Sequence, residues 1–181
     1  YWERRNGNAL LAMEAGRVMV GGEYKEVPLP FGPRSRLILL SAMSSAIKRK
    51  DPVVELGGSF TQFAKTLGIA VNGRNLASLQ DQMVRLAALN IRVAQRFQFH
   101  TDQMQGPLFR RLQVRVSEDE NQLTLFPETI EFSQEFYKNL TAHAVPLRAG
   151  HIKTLRRSAR SIDIYVWLAF RLWRIPHGET V

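Results

Sequence analysis

Cysteine is absent from the chain, and with it go disulfide frameworks, thiolate zinc sites and cysteine nucleophiles. Its absence fits a reducing compartment. No apolar run approaches the ~20 residues a helix needs to cross a bilayer. The longest, Ile164 to Phe170 (IYVWLAF), is stopped by Arg171 and reads as a buried helix. No signal peptide precedes the first patterned segment. The expected setting is therefore soluble and cytoplasmic, with no membrane partner. Catalytic signatures are also missing: the chain has no GxxxxGK(S/T) phosphate loop, no GxSxG and no HExxH. His100, His143, His151 and His177 include no His-x-His pair, which a metal-dependent nicking enzyme would need beside a nucleophilic tyrosine. Glu118, Asp119 and Glu120 share one polar turn, more simply a solvated loop than an acid–base or metal site. The expectation is no enzyme, no metal and no cofactor.

What the chain does have is positive charge. Lysine and arginine number 25 against 16 acids, a formal net charge of +9 over 181 residues. An excess of this size favours polyanions, nucleic acid first and an anionic membrane surface second. Basic residues crowd into Arg34 to Lys50, Arg74 to Arg115 and Arg148 to Arg174, while acids collect between Glu118 and Glu135. That segregation points to a bound face and a free face. With 45% hydrophobic and 23% charged residues the chain is globular. Its length suits one domain, or one small domain plus part of another. Tyr1 is not preceded by a methionine and PHGETV reads as a cut, so a piece of a longer protein is expected.

Ala9 to Ala15 and Tyr24 to Leu29 read as strands around a Gly21-Gly22 turn. Pro33 can occupy a first helical turn, and Pro33 to Lys50 carries Leu37, Leu40, Met43, Ser44 and Ile47 along one side. Val53 to Leu56 is a short strand closed by Gly57-Gly58. Ser59 reads as the N-cap of a helix over Phe60 to Leu67, with Gly68 as its stop. A second helix follows from Gly73 after a short turn, the outline of a helix-turn-helix. Ile91 to Phe99 and Leu108 to Val116 alternate with period two, with HTDQMQGP between them as a polar loop. A third strand is expected near Thr129 to Phe132, after the acidic turn SEDENQ. Helices over Gln134 to Ala142, His151 to Arg157 and Ser161 to Ile175 complete the chain. The order gives an α+β fold: a winged helix, made of a helix-turn-helix and a β-hairpin wing.

The second helix of that pair raises the question of function. On a helical wheel Leu76, Leu79, Met83 and Leu86 form one stripe. The opposite side carries Arg74, Ser78, Asp81 and Arg85, with Asn75 and Gln82 on its shoulder and short Ala77 and Ala88 between. A helix entering the major groove needs this mix, because arginine can grip guanine and asparagine or glutamine can pair with adenine. A plain solvated face is the simpler reading for an isolated helix. Between a helix-turn and a wing, DNA contact by Arg74, Asn75, Ser78, Gln82 and Arg85 is the better one. Asp81 would repel phosphate unless paired with Arg85 at i+4. Arg96, Gln98 and His100 rise along one strand of the expected hairpin, and Arg110 and Arg111 return along the other, placing possible phosphate or minor-groove contacts on a wing. Lys153, Arg156, Arg157 and Arg160 form a third basic group at a helix junction, read as gripping a second stretch of DNA backbone, with a simple surface covering as the alternative.

Four stretches resemble RepA-type plasmid replication initiators, a winged-helix group: RRNGNALLAM at 4–13, LPFGPRSRLILL at 29–40, SLQDQMVRLAALNIRV at 78–93 and HAVPLRAGHIKTLRRSARSIDIYVWLAFRL at 143–172. They run in the family's order over nearly the whole chain. The resemblance implies a protein that binds repeated double-stranded DNA sites at a plasmid origin and helps load host replication proteins. Related initiators form dimers that repress their own synthesis and monomers that initiate; for this chain the homodimer is left open. On this reading residues 1–147 are an N-terminal winged-helix domain with a leading β-hairpin, and 148–181 are the linker and first helices of a truncated second winged-helix domain. A transcriptional repressor on the same fold is the rival within DNA binding, since fold does not decide function. A dimerisation or protein-interaction module is the rival outside it, because Tyr165, Trp167, Phe170 and Trp173 cannot all face one small core.

Overall fold

The structure is a computed structural model that describes residues 1–20, 22–98, 100–115 and 126–175. Its first half runs β1 (Trp2–Asn6), β2 (Ala9–Glu14), β3 (Arg17–Val20), β4 (Glu23–Glu26), α1 (Gly32–Arg49), β5 (Val53–Glu55), α2 (Phe60–Thr66) and α3 (Gly73–Ala87). Four further strands follow: β6 (Asn90–Arg96), β7 (Thr101–Pro107), β8 (Phe109–Arg115) and β9 (Phe126–Phe132). The last three helices are α4 (Gln134–His143), α5 (Ala149–Leu155) and α6 (Ala159–Trp173). All six expected helices are present within a few residues of their predicted bounds. No described helix is long and apolar enough to cross a membrane.

The strands form three antiparallel groups, and here the sequence reading needs correcting. The predicted hairpin of 91–99 with 108–116 does not form. Instead β6 turns back at once onto β7, with Arg96 opposite Thr101 and Asn90 opposite Pro107. HTDQMQGP, expected as a loop, supplies that partner. Its polar composition suits an edge strand with one neighbour, and Pro107 is tolerated at the end of such a strand, where a missing N–H costs no ladder bond. β8 belongs to a different sheet, of order β5-β9-β8. The acidic turn between β8 and β9 lies outside the described residues. The Ala9 segment likewise pairs not around Gly21-Gly22 but with β1 and β6, in a sheet of order β1-β2-β6-β7. Around the glycines, β3 and β4 make a separate hairpin with Met19 opposite Tyr24.

One core joins the helices to the β5-β9-β8 sheet. It contains Leu37, Ile38, Ala42 and Ala46 of α1, Phe63 and Ala64 of α2, Leu79, Met83 and Leu86 of α3, Ile130 and Phe132 of β9, and Ile162 of α6. The predicted α3 stripe is the buried one. The α1 stripe is rotated: Ala42 and Ala46 are sealed while Ser44 is exposed. An apolar count that favours leucine overlooks such small buried residues. Ile152 and Leu155 of α5 and Val166 of α6 pack against this same core. Met13 and Ile91, opposite each other in register, attach the four-stranded sheet to it.

Candidate nucleic-acid interface

The α2–α3 unit is built from local signals. Ser59 caps α2 by accepting the Gln62 N–H at 3.2 Å. Gly68, at φ +73°, ends it in a Schellman turn: Gly68 N–H donates to Lys65 O and Ile69 N–H to Ala64 O, both at 2.9 Å. Asn72 then caps α3 by accepting the Asn75 N–H at 2.9 Å, a cap the sequence reading passed over in the short turn.

From the start of α3, Arg74 projects into solvent. The other polar residues singled out there are engaged within the molecule. Gln82 is 2% exposed, and its Oε1 accepts the Phe31 N–H at 2.7 Å while its Nε2 donates to Asp81. Its carboxamide thus secures the start of α1, a use that the base-reading expectation for Gln82 did not include. Asn75 donates to Ala70 O and accepts from Arg34, which also donates to Ser78 Oγ. Arg85 pairs with Asp81 at 2.9 Å, as the i+4 spacing required. Its guanidinium lies 5.1 Å from the centre of the Phe31 ring. One face of α3 is thus a polar seam against the Leu29–Arg34 segment. Gly32 at φ +74° makes the bend that brings the segment there. The sequence reading missed Phe31 and Arg34. The proline-glycine-proline-arginine run was visible, but its partners are more than 40 positions away.

Arg96, Gln98 and His100 lie exposed at or beside the β6–β7 turn, where the His100 and Phe97 rings stack at 4.6 Å. Arg110 and Arg111 do not return along that hairpin. They stand on β8 in the other sheet, with a register shift at Arg110 and an Arg110–Glu131 ion pair of 3.5 Å. The single expected wing surface is therefore two separate groups of residues. The third basic group is brought closer than the sequence implied. A β-carbon at Gly68 would lie 3.4 Å from Arg156 Cδ and 4.0 Å from Lys153 Cγ, so the end of α5 lies across the α2–α3 turn. Arg157 and Arg160 follow it, both exposed. Among the described residues no His, Asp and Glu cluster could hold a metal ion.

Residues 29–180 match the family described as plasmid encoded RepA protein. The chain belongs to that family. It is the plasmid replication initiator family that the four sequence stretches resemble, and the match spans both the α2–α3 unit and the helices after it. No curated protein sequence gives a significant match. Among solved structures, RctB domains 2–3 share the fold at TM-score 0.58 and 10% identity, over 92% of this chain and 65% of that one. Selenomethionine derivatives of RctB domains 2 and 3 give TM-score 0.57 and 10% identity, over 91% and 64%. This family member thus spans about two thirds of those chains.

Proposed function

We propose that the chain is a non-catalytic, cytoplasmic replication initiator module that binds double-stranded DNA at plasmid origin repeats, with α3 as the helix laid toward the major groove. The observation that carries the reading is the α2–α3 unit itself, with Arg74 exposed at the start of α3 and Lys153 and Arg156 laid against the turn before it. Family membership supplies the biological setting. The order α1, β5, α2, α3, β8, β9, with β5-β9-β8 as its sheet, supports a winged-helix reading in which β6–β7 is an insertion. Arg74 is then the base or phosphate contact on α3, while Lys153, Arg156, Arg157 and Arg160 grip adjoining backbone and the β6–β7 tip reaches a further phosphate.

Fluorescence anisotropy on duplexes carrying the origin repeats of the encoding replicon, against scrambled duplexes over a salt series, tests this. Tighter binding to the repeats that persists in added salt is expected. Arg74→Ala should cost ~1–3 kcal/mol on the repeats. Equal, steeply salt-dependent binding to both duplexes would reduce the basic residues to backbone attraction. One observation favours a second role in protein contact: α6 leaves Trp167, Leu168, Leu172 and Trp173 exposed, an apolar face suited to a subunit or domain interface.

A further inference from the structure

Arg34 stands on α1, and the sequence reading gave it no part in DNA contact. In the fold its guanidinium crosses to α3. Nη2 donates to Asn75 Oδ1 at 2.7 Å, and Nη1 donates to Ser78 Oγ at 3.0 Å. These acceptors are one helical turn apart, on the first two turns of α3. The Asn75 carboxamide is held from its other end as well, because Nδ2 donates to Ala70 O at 2.9 Å in the turn before α3. Three pieces of chain meet at one amide: α1, the α2–α3 turn and α3. Arg34 is half-buried and has no ion pair among the described residues. Two of its five N–H donors are used here, and arginine's rigid fork fixes the plane in which both acceptors sit. A lysine's single ammonium cannot hold both acceptors in that fixed plane.

We infer that Arg34 is a positioning residue that sets DNA specificity: by holding Asn75 and Ser78 it fixes how the first turns of α3, and Arg74 with them, meet the base edges. This rests on the reading of α3 as the DNA-contacting helix. Asn75 then belongs to the support: Oδ1 accepts from Arg34 and Nδ2 donates to Ala70 O, so the orientation of its amide is set within the protein. Ser78 gives one oxygen lone pair to Arg34, and its hydroxyl hydrogen has no acceptor among the described residues.

The test is selection from a duplex pool randomised over its central base pairs, followed by sequencing, for the full chain and its R34K, R34A and N75A variants. Thermal unfolding of each protein is measured in parallel. The unaltered chain should enrich a motif. R34K and N75A should lose base preference at the same contiguous positions, by about fivefold or more. R34K should keep the parent's salt slope because its charge is kept, and R34K/N75A should be no worse than either single variant. Should R34A fail to fold, R34K and N75A still decide the matter. An unchanged motif in R34K, or a loss spread evenly over every sequence, overturns the role of Arg34 while leaving DNA binding by α3 intact. Absence of any enriched motif with the unaltered chain overturns the α3 reading itself, and the role of Arg34 with it.

Discussion

Helices α3 and α6 are each 15 residues long, and each begins with a side-chain N-cap, from Asn72 and Ser158. They treat their surfaces in opposite ways. α3 buries Leu79, Met83 and Leu86, and draws the polar Gln82 inside with them. α6 buries Ile162 and leaves Ile164, Trp167, Leu168, Phe170, Leu172 and Trp173 exposed. The cause is the neighbours. α3 lies against α1, α2 and β8, while α6 meets α1 and α5. Polarity along a helix says which face can be buried, and the surrounding chain decides whether it is. A polar face is not necessarily free, and an apolar face is not necessarily covered.

The same substitution on the two helices gives the sharpest contrast. Leu79 is fully sealed and Leu172 is 66% exposed. Leu79→Ala should destabilise by ~2–5 kcal/mol, from lost transfer energy and the cavity left behind. Leu172→Ala should stay within ~0.5 kcal/mol in urea unfolding at low protein concentration. A large, concentration-dependent cost at Leu172 would break the comparison, because it would show that α6 is covered by a second copy in solution.

Gln82 is the intermediate case. Removing its side chain leaves the Phe31 N–H without its acceptor at the start of α1, and a partly buried donor left unpaired costs ~1–3 kcal/mol. Gln82→Ala should therefore lower stability by that order, and weaken DNA binding on repeat and scrambled duplexes alike. Unchanged stability with affinity lost on the repeats alone would return Gln82 to the base-reading role the sequence first assigned it.

The difference between the two helices also explains what could be read in advance. All six helices and the α3 core stripe follow from local rules: Ser59 and Gly68 punctuate α2, Pro33 opens α1, and leucines at helical spacing mark the buried side of α3. Strand pairing failed because it depends on partners. Ile91–Arg96 alternates as a strand should, but nothing local in it distinguishes Thr101–Pro107 from Phe109–Arg115 as its neighbour, and the more apolar segment was the wrong one. Among the site residues, Arg74 is placed in solvent as expected. Asn75, Ser78 and Gln82 have the chemistry to read bases, but equally the chemistry to hold Phe31 and Arg34, and only the fold shows the second use. Gly16 is a quieter omission: a β-carbon there would lie 2.2 Å from Ala88 O. No composition rule signals that close approach between distant segments.

A further small effect concerns how α6 is attached. Arg36 Nε and Nη2 grip the two Asp163 carboxylate oxygens at 2.6 and 2.7 Å, a fork joining α1 to the first turns of α6. The geometry is the strong bidentate kind, but the side chains are 35% and 53% exposed, and water and salt screen such a pair. A double-mutant cycle of Arg36→Ala and Asp163→Ala should give a coupling of ~0.2–1 kcal/mol, falling as ionic strength rises. Coupling within that range would leave Ile162 and Val166 as the main anchors of α6, with the ion pair fixing its angle against α1. A coupling of zero would mean that apolar contact alone sets that angle. The orientation of the exposed tryptophans would then depend on a contact of about one turn.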